Sequence, residues 1–247
     1  MPPDVVICDW NGTLIEYRDE RPVLDNTARD IFKASFPFHP LRMARILRAR
    51  KELENLYTKG ARNHDFDFIR ELFHTYNDRI IKGVPVSWVL RSIEDYAHKP
   101  QTQAKLEHRV LRPIKECRQA GKATGIFSAG YSHGIERILA AAGYAECFDF
   151  IEADKLKENK GKAIEFGLNI YKRKGPLLLK LLQDRNMDAS KVAYLGDSED
   201  DEGCFEIVKY PVVAFLAPDE LKQKFARKYR AFVPKDEKDL TDYLKRA

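Results

Sequence analysis

The sequence predicts an α/β fold, a parallel sheet carrying an inserted α-helical segment, and three observations predict it. Short, unbroken, β-branched runs recur at residues 5–8, 123–127, 192–195 and 212–215, the pattern of strands buried on both faces. Helical patterns alternate with the last three runs, as right-handed crossovers require. The stretch between the first run and the second is far longer than the dozen or so residues of one crossover helix, and it reads as helical almost throughout.

The elements follow in order. Residues 5–8 form the first strand. Residues 16–109 form an inserted helical cap, in which Leu41, Ala44 and Leu47 with Leu53, Leu56 and Tyr57, and later Phe68, Ile69, Leu72, Phe73 and Tyr76, fall at helical spacing. A helix over 114–119 stops at Gly121 and feeds the second strand; another over 134–142 stops at Gly143. Asn159-Lys160-Gly161-Lys162 predicts a small hairpin, because the glycine supplies a positive φ between two short runs. A helix over 177–184 leads to the third strand. Residues 1–15 and 110–247 are thus expected to form one Rossmann-like core, with 16–109 as the cap.

Composition agrees with this division. The 247 residues are 44% hydrophobic and 33% charged, enough for one sizeable core with an appended module and too apolar for a disordered chain. The net charge of +5 is the small difference between 43 basic and 38 acidic residues, so no nucleic-acid or membrane partner is expected. No apolar run approaches the ~18 residues of a membrane span, and Met-Pro-Pro-Asp opens no secretory signal, so a cytoplasmic location is expected. Cys8, Cys117, Cys147 and Cys204 are widely separated and form no C-x-x-C pair, which fits reduced, buried thiols.

Ligands of an open parallel sheet bind outside the carboxyl ends of its strands. Three of the four runs are followed there by chemistry: Asp9-Trp10-Asn11-Gly12-Thr13-Leu14, Ser128-Ala129-Gly130, and Gly196-Asp197-Ser198-Glu199-Asp200-Asp201. A carboxylate, a hydroxyl and an acidic cluster meeting at one edge suit phosphoryl transfer through a covalent intermediate, assisted by a divalent cation. Mg2+ fits best, since Asp9, the Asn11 backbone carbonyl and Asp197 offer a few hard oxygens without a full protein cage. A cation is also needed against the phosphoryl oxygens, and Lys174 is the best-placed candidate, with Lys172 and Arg173 as rivals.

This ordered set, Asp9-Trp10-Asn11-Gly12-Thr13, Ser128, Lys174 and Gly196-Asp197-Ser198-x-x-Asp201, resembles the four motifs of the haloacid dehalogenase superfamily, and the position of the helical insertion resembles its phosphoserine-phosphatase-like branch. The resemblance implies that Asp9 is the nucleophile. It implies that Ser128 and Lys174 hold the phosphoryl group in a loop region that includes Gly12, Thr13, Ala129 and Gly130. Asp9, Asn11 and Asp197 would bind magnesium, with Asp201 beside them orienting Lys174 or a metal-bound water. The expected partner is a small phosphorylated substrate selected by the cap.

One departure qualifies the expected activity. The family's phosphatases carry a second aspartate two residues after the nucleophile, as general acid and then base; here that residue is Asn11, and an amide cannot shuttle a proton. A phosphatase remains the leading expectation. A dehalogenase or phosphonatase chemistry, or a phosphate-binding protein without turnover, are the alternatives. Phosphoserine is disfavoured because Arg18 stands where that branch carries a substrate-binding glutamate. His133 is read as a helix-start histidine, and Arg42, Arg45 and Arg48 as one solvated helix face, in a cap that carries 18 basic and 14 acidic residues.

Overall fold

The computed structural model describes residues 3–17, 19–60 and 66–246. Five parallel strands form the sheet: β1 (Val5–Cys8), β2 (Ala123–Tyr131), β3 (Phe150–Asp154), β6 (Val192–Gly196) and β7 (Tyr210–Val213). Their spatial order is β3-β2-β1-β6-β7, and β4 (Leu156–Asn159) pairs with β5 (Lys162–Phe166) as a separate antiparallel hairpin. The centre of the sheet is β1, paired on one side with β2 and on the other with β6. Its four residues are all buried, and they alternate: Val6 and Cys8 face one apolar cluster, Val5 and Ile7 the other. A strand sandwiched this way must be apolar at every position, which is why the run was visible.

Two elements differ from the sequence reading. The strand at 150–154 was not counted, because Glu152 interrupts its apolar run; as an edge strand with a half-buried face it tolerates that polar residue. Strand β2 continues through Ser128, Ala129 and Gly130 instead of ending before them, with an irregular register between Ser128 and Tyr131 against β3.

Between β1 and β2 the chain forms α1 (Arg21–Ser35), α2 (Pro40–Gly60), α3 (Phe66–Tyr76), a π-helical turn at Asn77–Ile81, α4 (Val86–Ala97) and the short α5 (Pro100–Gln103). The helix expected over this stretch is present, and its apolar positions divide between two faces. Ile46, Ala49 and Leu53 are the buried residues, whereas Leu41 is 87% exposed and Leu47 54%. Those three lie about 80° to 140° around the helix from Leu41 in one direction, and Ala44 and Leu47 about 60° and 120° in the other, so Leu41, Ala44 and Leu47 belong to the opposite face.

Helix α6 (His108–Gln119) leads into β2, and after it come α7 (Ser132–Ala141), α8 (Lys174–Asp184), α9 (Glu202–Ile207), α10 (Asp219–Tyr229) and α11 (Glu237–Arg246). The hairpin turns at Lys160 and Gly161, both at positive φ, as the glycine predicted. It also ties the helical segment down. Ala163 and Gly161 exchange backbone hydrogen bonds with Gly83, Val84 and Val86, and Asn77 bonds both the N–H and the C=O of Phe166. Among the described residues no helix is long and apolar enough to cross a membrane.

Candidate active site

The loop leaving β1 is fixed by one carbonyl. Trp10 O accepts from the amides of Thr13, Leu14 and Ile15, and Gly12 N–H is directed at the carbonyls of Ile15 and Tyr17. Gly12 sits at φ +69°, and a Cβ there would lie 2.1 Å from Asp197 Oδ2. Only glycine permits both the turn and that approach. Thr13, fully buried, brings its hydroxyl to 3.4 Å from Asp197 Oδ1.

Sheet register then gathers the rest. Asp9 follows the end of β1 between the paired ends of β2 and β6, so Ser128 arrives from one side and Asp197 from the other. Of the three bases at 172–174, the structure buries Lys174, 3% exposed, at the first residue of α8. Lys174 Nζ lies 2.9 Å from Asp9 Oδ2, 2.7 Å from Asp201 Oδ1 and 3.9 Å from Asp200 Oδ2. Lys172 instead has its ammonium over the Tyr171 ring and donates its backbone N–H to Asp200; Arg173 precedes the helix. Burial alone would lower the Lys174 pKa, but Asp201, Asp9 and Asp200 outweigh it and hold the ammonium charged.

Asp201 is the organiser of this edge. One carboxylate oxygen accepts from Lys174 and from the Tyr194 hydroxyl (2.9 Å); the other accepts from the amides of Asp197 and Ser198 and the Ser198 hydroxyl. Gly196 is obligatory for it, since a Cβ there would meet the Asp201 carboxyl at 2.5 Å. With both oxygens so engaged, Asp201 is built to aim Lys174. Its place in a ligand set rests on proximity to Asp9 and Asp197.

Those three carboxylates present oxygens within 4.8 Å of one another. Asp9 Oδ1 is buried with no hydrogen-bond partner. Burial, opposed by Lys174, raises the Asp9 pKa to about 6, and burial with the charges of Asp201 and Asp9 pushes Asp197 well above the carboxylate range. A cluster of buried acids carrying one free oxygen and one ammonium is short of positive charge. Its all-oxygen donors fit a hard divalent cation.

Ser128, 1% exposed, accepts the Gly130 N–H at 3.1 Å across the β2 irregularity, and its hydroxyl is among the groups that lower the Asp9 pKa against burial. Trp10 is buried against Gly130. His133 is half-buried and faces Arg137, Glu136 and Glu94; burial first and Arg137 second lower its pKa. A cleft of about 750 Å³ at the root of the helical segment is lined by Tyr17, Asp19, Arg21, Tyr96 and Lys99 among others, and by none of the site residues above.

Sequence reasoning missed Glu20. Its carboxylate accepts from Asn11 Nδ2 at 3.0 Å, receives the Tyr131 amide, and fills space that a Cβ on Gly130 would take, at 2.7 Å. Burial raises its pKa to about 7, against the opposing Asn11 hydrogen bond. It occupies the N-cap position of α1 and makes no capping bond, so its side chain is turned from the helix into the site. The available signal was an acid directly before Arg21-Pro22, where a helix starts. Arg18 lies outside the described residues.

Comparisons with known proteins bear on this geometry. No curated protein matches the chain. Among solved structures, a substrate-bound phosphoserine phosphatase is 18% identical with a TM-score of 0.54, covering 91% of this chain and 90% of its own. A phosphoserine phosphatase from T. onnurineus is 17% identical with a TM-score of 0.51, covering 99% and 96%. A cytosolic 5'-nucleotidase IIIB bound to cytidine is 15% identical with a TM-score of 0.62, covering 99% and 86%. At such identities these show a shared fold. The profile of the haloacid dehalogenase-like hydrolases matches residues 3–203, a span that runs from β1 through Asp9, Ser128, Lys174 and Asp201. That match covers most of the chain on the fold its structural neighbours share, and the chain therefore belongs to the haloacid dehalogenase-like hydrolases.

Proposed function

We propose that the chain hydrolyses a small phosphomonoester through an aspartyl-phosphate on Asp9. The observation that carries this reading is the buried Lys174 ammonium held between Asp9 and Asp201, beside an Asp9 oxygen that has no partner. A lysine fixed by two carboxylates is set to neutralise a third anion entering at the free oxygen. Asp9 would attack phosphorus as the bond to the leaving oxygen breaks; water would then attack the phosphorus, releasing phosphate and the Asp9 carboxylate. Ser128, Lys174 and the amides of the Ser128-Ala129-Gly130 stretch would hold the phosphoryl oxygens, with Gly12 and Thr13 keeping Asp197 in register.

Mg2+ would be held by Asp9, the Asn11 carbonyl and Asp197, where it would offset the charge of the carboxylates and the phosphoryl group. Asp201 acts through Lys174 as a positioning residue. Residue 11 cannot carry the leaving-group proton, and the carboxyl in contact with it is that of Glu20. We assign that proton to Glu20, so the Asn11 departure is answered by a second acid delivered from the start of α1. Residues 16–109 are read as the substrate-selecting cap, because they supply Glu20 and the helices inserted between β1 and β2.

The test is release of inorganic phosphate from an aryl phosphate and a panel of phosphorylated metabolites, with and without magnesium. Magnesium-dependent release is expected, with Asp9→Asn lowering it by at least about 10^4-fold. Absence of release across the panel, at enzyme levels able to detect a ~10^4-fold impaired phosphatase, would leave the dehalogenase or phosphonatase type and the binding protein as the surviving readings.

A further inference from the structure

We propose that the corner joining α1 to α2 docks on the surface of anionic lipid bilayers. The corner is where the molecule keeps its protruding apolar side chains: Phe36 is 66% exposed, Phe38 82%, Leu41 87% and Leu47 54%. They are four of the six exposed large hydrophobic residues in the described structure, and they fall within twelve positions of the chain. Isolated exposed hydrophobics are ordinary; four within twelve residues of one helix corner are not.

Charge selects the occupant. Residues 31–51 contain Lys33, Arg42, Arg45, Arg48, Arg50 and Lys51 and no acidic residue. Arg42 and Arg45 reach back to the carbonyls of Gly83 and Lys82, and Arg42 also packs over Trp88, so these two tie α2 to residues 82–88 and are not on one solvated face with Arg48. Arg48 and Lys51 are exposed, and with Leu41 and Ala44 they follow a spacing of three, four and three residues along one outward line of α2. Apolar tips flanked by arginine and lysine on an outward helix face match the boundary between lipid headgroups and acyl chains, where the cations meet anionic phosphates. A second copy of the chain would bring this unbroken basic segment against itself in a twofold contact. Side chains that project this far offer no groove to a partner helix. Docking here is peripheral and needs no spanning helix.

The purified full-length protein would be mixed with phosphatidylcholine vesicles, with or without about 30% phosphatidylserine, and the bound fraction measured by flotation. Binding to the anionic vesicles alone, weakening with added salt, is expected. Phe36→Ser/Phe38→Ser should lower the partition coefficient at least about tenfold. Arg48→Glu/Lys51→Glu should lower it by a similar factor. Retention of the wild-type circular dichroism and melting temperature would show that both variants remain folded. Phe38→Trp provides a positive signal, a blue shift in emission that appears only with anionic vesicles. Equal binding to both vesicle types, or to neither, overturns the proposal. So does a concentration-dependent dimer in sedimentation that Phe36→Ser/Phe38→Ser dissolves, which would give the corner to a second copy. None of these residues touches the Asp9 site, so the outcome is independent of phosphate release.

Discussion

At the scale of single residues, the contact between Asn11 and Glu20 changes what a familiar repair experiment should do. Substituting Asn11→Asp alone restores the second motif carboxylate but removes the amide that donates to Glu20, leaving a half-buried acid in contact with a buried one. That costs about 1–3 kcal/mol and forces the pair to share a proton. The double variant Asn11→Asp/Glu20→Gln exchanges the acid and the amide across the same 3.0 Å contact and keeps it bonded. We expect Asn11→Asp to lower the melting temperature and the double variant to recover most of it. Phosphate release in the double variant should match or exceed wild type, whereas Glu20→Gln alone should fall by about 10^2-fold or more. Thermal melts and steady-state assays on the three variants check this; wild-type turnover in Glu20→Gln would remove Glu20 from the proton path. Gly12 gives a simpler expectation. Gly12→Ala meets Asp197 at 2.1 Å and a disfavoured φ, so it should abolish magnesium-dependent release while costing stability.

At the scale of elements, what the sequence made legible were the parts whose environment is uniform. The central strands are buried on both faces and must be apolar throughout, so β1, β2, β6 and β7 stood out, and the acids and hydroxyl at their ends came with them. Edge strand β3 has no such uniformity. On α2 the spacing of Leu41, Ala44, Leu47 and Leu53 marks the helix but not its inward side: Leu53 is buried, whereas Leu41 and Leu47 are exposed. Glu20 was invisible because its partner, Asn11, is set by tertiary packing. Packing also decides pH behaviour between α9 and α10. Burial would raise the pKa of Glu202, but Lys224, Lys228 and Tyr229 outweigh it and hold it at about 2, below its usual 4.5. A depressed carboxylate contributes stability above its unfolded pKa and loses it as pH falls through the folded value. The melting temperature of Glu202→Gln should therefore lie below wild type at pH 7, and the gap should close between pH 4.5 and 2.

At the scale of the whole molecule, the helical segment and the sheet share one apolar cluster. It runs from Val6, Cys8 and Leu195 through Leu14 and Ile15 to Ile31, Ile46, Ile80 and Ile93, and the β4–β5 hairpin adds backbone bonds to residues 83–86 from the other side. Asn77 completes that junction by pairing with Phe166 as a strand neighbour would. A helical segment joined this firmly should unfold together with the sheet. The two tryptophans allow a direct reading, since Trp10 lies in the loop after β1 and Trp88 in α4. Single-tryptophan variants, Trp88→Phe and Trp10→Phe, should show coincident urea transitions, one reporting the sheet and the other the helical segment. Asn77→Ala leaves both backbone groups of Phe166 without their partner at a half-buried site, at a cost of about 1–3 kcal/mol. In that background the Trp88 transition should move to lower urea ahead of the Trp10 transition, because only the helical segment loses its tether. Separate transitions already present without the Asn77 change would mean that the shared cluster does not couple the two parts.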